Sequence, residues 1–249
     1  MDFAAELVEQ NRLFAELALA ADPDADVTTC PGWTLRQLVT HMGRGHRWAA
    51  TITGERSQVV IDPKTVADGK PPADWAGAVD WMAKGAQLIL DGVEKAGPDT
   101  AVWTFTGPKP SAWWIRRRLH ETVIHRADAA IAAGVPFEVK PDVAADCLSE
   151  WLGLVAARPA GDDVPLDEGT SLHLHATDDG LTVPGEWILR TADGRITVEH
   201  EHTKGTAAVR GKAADLALAL LRRLPADHPG LSIVGDAGVL TTWLERTQF

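Results

Sequence analysis

Glu121 and His125, in the run Arg118-Leu-His-Glu-Thr-Val-Ile-His125, stand four residues apart, and a distant histidine, His41, lies in Val39-Thr-His-Met-Gly43. On a helix a four-residue step brings two side chains back to one face. A third ligand supplied by another helix would complete a site of nitrogen and oxygen donors. Three protein ligands leave the fourth position of a tetrahedral ion open, which is the arrangement of a catalytic zinc and not of a closed structural one.

The pair does not by itself demand a metal. Glu-x-x-x-His also occurs on solvated helix faces as an ordinary i,i+4 pair, and Arg117, one turn before Glu121, or Arg118, three residues before it, offers an ion pair instead. Trp114 and Ile124 flank the pair, while Ile115, Leu119 and Val123 lie on roughly the opposite side, so the metal reading requires both faces to be buried. His41 shares an arc with Leu38, Gly45 and Trp48, which argues that it points inward. A lone inward histidine can equally be a hydrogen-bonded core residue. His46 is displaced from His41 by about 140° of helical rotation, so the two cannot easily share an ion and one of them is expected to be structural.

Other residues invite chemistry more weakly. His173-x-His175 and His200-x-His202 each place two imidazoles on one face of a strand, a second possible metal constellation. The plainer expectation is that Leu172 and Leu174 face the core and the histidines face solvent or another domain. Cys30 has no local base or helix N-terminus to activate it and is expected to be packed or idle. Trp33, Trp48, Trp113 and Trp114 crowd the helices of the proposed ligands and could wall a pocket. No Gly-rich phosphate loop, Cys-x-x-Cys, Gly-x-Ser-x-Gly or His-Glu-x-x-His is present, which removes several large enzyme classes.

The elements that must position these residues read as two blocks. Up to about residue 157 the pattern is helical. Phe3, Leu7, Phe14 and Leu17 recur near helical period before the acidic run 21–26, and a capping box, Thr34-Leu-Arg-Gln37, starts the helix that carries His41. A third helix is expected over residues 73–96, stopped by Gly97-Pro98. A fourth, carrying Glu121 and His125, is expected to be capped by Ser111 and ended by Gly134, and a fifth, over about 142–157, would close the unit. Such helices satisfy the packing logic of a bundle, whose interior commonly houses metal sites. After residues 158–165 the texture changes to short alternating runs at 171–175, 186–190 and 195–199, the last two joined by Asp193-Gly194, a tight-hairpin signal. A strand at 206–210, a helix at 213–224 and a strand at 231–234 follow. The expected fold class is α+β: a helix bundle over residues 1–158 and a small mixed α/β domain over 166–249.

Composition bounds the partners. The chain has 249 residues, 45% hydrophobic, without an apolar run of membrane-spanning length, and its N-terminus lacks the base and the apolar region of a signal peptide. A formal charge of -11 repels phosphate backbones and anionic lipid, so neither nucleic acid nor membrane is expected as a partner. Two cysteines, Cys30 and Cys147, suit a reducing compartment and free thiols, hence the cytoplasm. Small-molecule chemistry remains, with the oligomeric state left open.

The segment Thr29-Cys-Pro-Gly-Trp-Thr-Leu-Arg-Gln-Leu-Val-Thr-His41, followed by His-Arg-Trp48, resembles the second helix of the mycothiol-dependent maleylpyruvate isomerase family, a branch of the DinB-like metal-binding helix bundles. Arg117-Arg-Leu-His-Glu-Thr-Val-Ile-His-Arg-Ala-Asp-Ala129 looks like its fourth helix. Leu172-His-Leu-His-Ala-Thr-Asp178, Gly185-Glu-Trp187 and Ala208-Val-Arg-Gly211 are similar to its C-terminal domain, which resembles sterol-carrier folds. The likeness covers nearly the whole chain, and the order of the motifs is more specific than any one of them. It implies zinc, or another divalent metal, on His41, Glu121 and His125, and a catalytic role for an arginine best matched by Arg210. It also implies mycothiol as thiol cosubstrate: coordination to zinc would hold its thiolate, which would attack an electrophilic small molecule. Reversible addition to a cis double bond, as in maleylpyruvate, would make an isomerase. Arg117, Arg118 or Arg210 could hold substrate carboxylates. The alternatives are a mycothiol S-transferase that keeps the adduct, and a non-catalytic metal- or ligand-binding module.

Overall fold

The computed structural model describes residues 1–159 and 164–247. Its chain divides into two compact units, Met1–Phe137 and Glu138–Phe249. Part of the expected linker, residues 160–163, lies outside the described residues.

The first unit is built from helices. In α1 (Phe3–Ala20), Asp2 caps the N-terminus by accepting from the amides of Ala4 and Ala5, and Leu7, Phe14 and Ala18 are fully buried. Helix α2 (Leu35–Gly54) opens on the expected capping box, in which the Thr34 hydroxyl accepts from the Gln37 amide and the Gln37 side chain accepts from the Thr34 amide. Its buried Leu38 and Met42 join Phe14, Val79 and Met82 in one core cluster, and Ala49 and Ile52 are fully buried further along the helix.

The third expected helix is two. Helix α3 (Trp75–Ala83) gives way at Lys84 to α4 (Gly85–Ala96). At the break the Asn11 side-chain amide donates to the Ala83 carbonyl over 2.6 Å, taking up an acceptor that the helix ladder no longer serves. A short hairpin of β1 (Ala101–Val102) and β2 (Lys109–Pro110) precedes α5 (Trp113–Ala133). Ser111 does not cap α5; its hydroxyl donates to the carbonyls of Gly97 and Pro98 and ties the helix start to the end of α4. Gly134 ends α5 in the left-handed conformation at φ 66°, as expected. Helix α5 packs against α1 and α2, and Trp114, Leu119, Val123 and Ile124 are all buried, so both of its apolar faces are covered.

The second unit begins earlier than expected. Helix α6 (Pro141–Ala156) is the anticipated fifth helix, but it does not close the bundle: it packs on α7 (Ala213–Leu220) and on β5 (Arg195–Glu199) and groups with the C-terminal residues. The sheet runs β5-β4-β3-β6-β7, with β3 (Ser171–Ala176) central beside β4 (Glu186–Ala192) and β6 (Ala207–Gly211), and β7 (Ser232–Gly235) at an edge. Strands β3 and β6 are parallel and the other neighbours antiparallel. Asp193 and Gly194 both take positive φ in the β4–β5 turn, as the Asp-Gly signal required. Leu172, Leu174, Trp187, Leu189 and Val209 form one fully buried face, where the Trp187 indole donates to the Ser149 hydroxyl of α6. A last helix, α8 (Ala237–Arg246), was not anticipated; Asp236 caps it and Trp243 is its buried anchor.

Candidate metal centre

His41 lies on α2 and Glu121 and His125 on α5, two helices in direct contact. One donor atom from each falls within 4.8 Å of the others. His125 Nε2 is 3.3 Å and His41 Nε2 3.6 Å from the same carboxylate oxygen, Glu121 Oε1, and the two rings meet edge to face with centroids 5.0 Å apart. The His41 side chain is 39% exposed and that of His125 only 12%, so the group has a deep side and an open side. His41 thus lines an opening instead of lying in the core.

Each donor is held by a specific neighbour. His125 Nδ1 is 2.8 Å from Oδ2 of the buried Asp128, one turn along α5, and that carboxylate also accepts from the Cys30 thiol at 3.5 Å. With Nδ1 donating to Asp128, the lone pair of a neutral His125 sits on Nε2, the atom that faces Glu121. Glu121 is divided between two tasks: Oε2 accepts from Arg117, while Oε1 faces the imidazoles. The anticipated Arg117 ion pair and the clustered donors therefore coexist. The Trp33 ring, with its centroid 5.0 Å from that of His41, stands beside the more exposed of the two imidazoles.

The local field matches the geometry. Burial opposes charge on Glu121, but Arg117 and then the two imidazoles hold its carboxyl well below the usual carboxylate range. Burial likewise opposes charge on His125, yet bonds to Asp128, Cys30 and Glu121 raise its pKa to about 10 in the absence of an ion. A divalent cation would compete with that proton for Nε2. The residues present fit such an ion: two imidazole nitrogens and one ionised carboxylate are the donor set of an open zinc site.

Residues the sequence brought under suspicion separate cleanly. His46 is fully buried, with Nε2 3.2 Å from Asn11 Oδ1 and Nδ1 accepting from Arg118 Nε at 3.3 Å; burial, then Arg118 and Arg47, push its pKa well below the ordinary value. It is the structural member of the pair. Arg118 is buried with it and also donates to the Met42 carbonyl, so it belongs to the bundle interior. Trp48, Trp103 and Trp114 form an aromatic cluster of their own, joined by Trp113 and Phe105. Cys30 is not idle: it touches the carboxylate that orients His125, and Cys30, His125 and Asp128 are themselves close enough to hold an ion. Asp128 went unassigned in the sequence, although its His-x-x-Asp spacing places it on the His125 face. Arg210 is on β6 in the second unit, exposed and opposite His175.

Comparison with known proteins places both units. Residues 3–130 match the mycothiol maleylpyruvate isomerase N-terminal domain, and residues 142–242 match the C-terminal domain of the same family. Among solved structures, a mycothiol-dependent maleylpyruvate isomerase aligns at TM-score 0.63 and 15% identity, covering 93% of this chain and 91% of that one. A histidine-to-alanine variant of a mycothiol-dependent maleylpyruvate isomerase aligns at TM-score 0.53 and 13% identity, covering 87% and 86%. At these identities the likeness establishes a shared fold. No curated protein sequence matches the chain.

Proposed function

Because the chain belongs to the mycothiol-dependent maleylpyruvate isomerase family, we propose that it is a metal- and mycothiol-dependent enzyme that isomerises maleylpyruvate or a similar unsaturated acid. The observation that carries this reading is the convergence of His41 Nε2, His125 Nε2 and Glu121 Oε1 from two helices. Those three residues would hold zinc or another divalent ion, which when bound lowers the pKa of a thiol at its open position. Asp128 fixes the His125 tautomer, and Arg117 keeps Glu121 ionised and aimed. His41 and Trp33 border the open side, where a thiol and an electrophile would enter. Arg210 is the proposed partner of a substrate carboxylate, a task for which a guanidinium's paired donors are suited. Isomerisation regenerates the thiol, since the carbon–sulfur bond that forms by addition breaks again on elimination.

The free thiols Cys30 and Cys147 support a cytoplasmic setting, and no described helix is long and apolar enough to cross a membrane. The test is the absorption spectrum of the cobalt-substituted protein before and after mycothiol, with His41→Ala as control, followed by turnover of maleylpyruvate. A sulfur-to-cobalt charge-transfer band absent from the control, with isomerisation and no net loss of thiol, is the expected result. Net thiol consumption would make the protein an S-transferase, and a chain that binds cobalt but neither isomerises maleylpyruvate nor consumes thiol would be a binding module.

A further inference from the structure

The second unit carries a histidine cluster that the proposed reaction does not use. On the sheet face opposite the apolar core, His173 and His175 project from β3 and Glu186 from β4, while His202 comes from the segment after β5. Glu186 Oε2 lies 2.9 Å from His173 Nε2, 2.7 Å from His202 Nδ1 and 3.7 Å from His175 Nδ1. The three rings form a nearly equilateral triangle, with centroids 6.0, 5.9 and 5.8 Å apart. One donor atom from each of the four residues lies within 4.8 Å of all the others.

Hydrogen bonding accounts for only part of this arrangement. A carboxylate oxygen has two lone pairs, and the contacts with His173 and His202 already address them. His175 Nδ1 stands 3.7 Å from the same oxygen, beyond a hydrogen bond. A cation at the centre would give all three imidazoles and the carboxylate a common partner. The scaffold is also firm where it needs to be: His173 is buried, Glu186 and His175 are directly paired across β3 and β4, and His200 Nδ1, 3.0 Å from the Glu186 carbonyl, ties down the segment that delivers His202. His202 itself is 77% exposed, which leaves an entry path. Arg210 stands opposite His175 on this face, but it is exposed, where solvent and salt weaken its repulsion of a cation.

We infer that His173, His175, His202 and Glu186 form a second, independent site for a divalent transition metal, with zinc the best match to a three-imidazole, one-carboxylate donor set. Four protein donors fill a tetrahedral shell. The ion is therefore structural, stapling β3, β4 and the segment after β5, in contrast to the open three-donor site of the helical unit.

The experiment uses the full-length, tag-free protein carrying His41→Ala and His125→Ala, which together take donors from both helical groups, titrated with cobalt(II) and followed by metal content, by the d–d absorption of tetrahedral cobalt and by thermal melting. One tightly held equivalent with a tetrahedral spectrum and a raised melting temperature is expected. Adding His202→Ala, at an exposed position, or Glu186→Gln, which preserves shape, should weaken cobalt binding at least about tenfold, the low end of what loss of an orienting partner alone costs. The inference is overturned if the protein carrying His41→Ala and His125→Ala retains no cobalt, or if its cobalt is held equally well after His202→Ala and Glu186→Gln. Unchanged melting of the metal-free variants separates lost ligation from lost folding.

Discussion

At the scale of the residue, the proposed helical site rests on Asp128, which orients His125, as well as on the three donors. Removing the charge that orients His125 while keeping the side chain's shape, as in Asp128→Asn, is expected to weaken zinc binding by about 10- to 100-fold, read by competition with a chelator. The raised pKa of His125 makes a second expectation with a definite sign. Its folded value, about 10, lies above the ordinary 6.5, so in the metal-free protein this proton contributes stability in full below about pH 6.5 and loses it as pH rises toward 10. An incoming ion must displace the same proton. Zinc affinity should therefore climb with pH, by up to about tenfold per unit from this residue, while the metal-free protein weakens. The stabilisation conferred by zinc in denaturant unfolding should then be larger at about pH 8 than at about pH 6.5; a flat or falling dependence would mean that His125 is not a ligand.

At the scale of the element, glycines of α2 decide how closely its neighbours approach it. A Cβ at Gly43 would overlap the Trp81 indole, and one at Gly45 would overlap the Arg118 guanidinium. Alanine is ordinarily better than glycine inside a helix by about 1 kcal/mol. Gly43→Ala is nonetheless expected to destabilise the protein by about 1–3 kcal/mol in urea unfolding, because the core around Trp81 is filled and overpacking outweighs propensity. The break between α3 and α4 is held by Asn11, which also meets His46. Asn11→Ala leaves a buried carbonyl and a buried imidazole without that partner, at an expected cost of about 1–3 kcal/mol.

At the scale of the whole molecule, the three proposed metal donors belong to one compact unit and Arg210 to the other. Two readouts separate their contributions. Arg210→Ala should leave cobalt at His41, Glu121 and His125 unchanged, while lowering kcat/KM for a carboxylate substrate by about 10- to 100-fold, the loss expected when a charged hydrogen bond worth about 1.5–3 kcal/mol is removed. An unimpaired kcat/KM would return Arg210 to the status of a surface charge on β6.

Local signals were legible in the sequence because each acts within a few residues. The capping box at Thr34, the Gly134 stop, the Asp193-Gly194 turn and the alternation of Leu172 and Leu174 all predicted what the backbone does there, since caps, positive φ and pleat are short-range physics. The pairing of Glu121 with His125 is of the same kind. Tertiary contacts decided the rest. Helix period alone cannot tell which unit α6 packs on, that Asn11 would support a break at Lys84, or that Ser111 would bond back to the end of α4. Nor could it choose between His41 and His46. One faces Glu121 at an opening and the other is sealed against Asn11 and Arg118, because the neighbours that settle burial and charge come from helices distant in sequence.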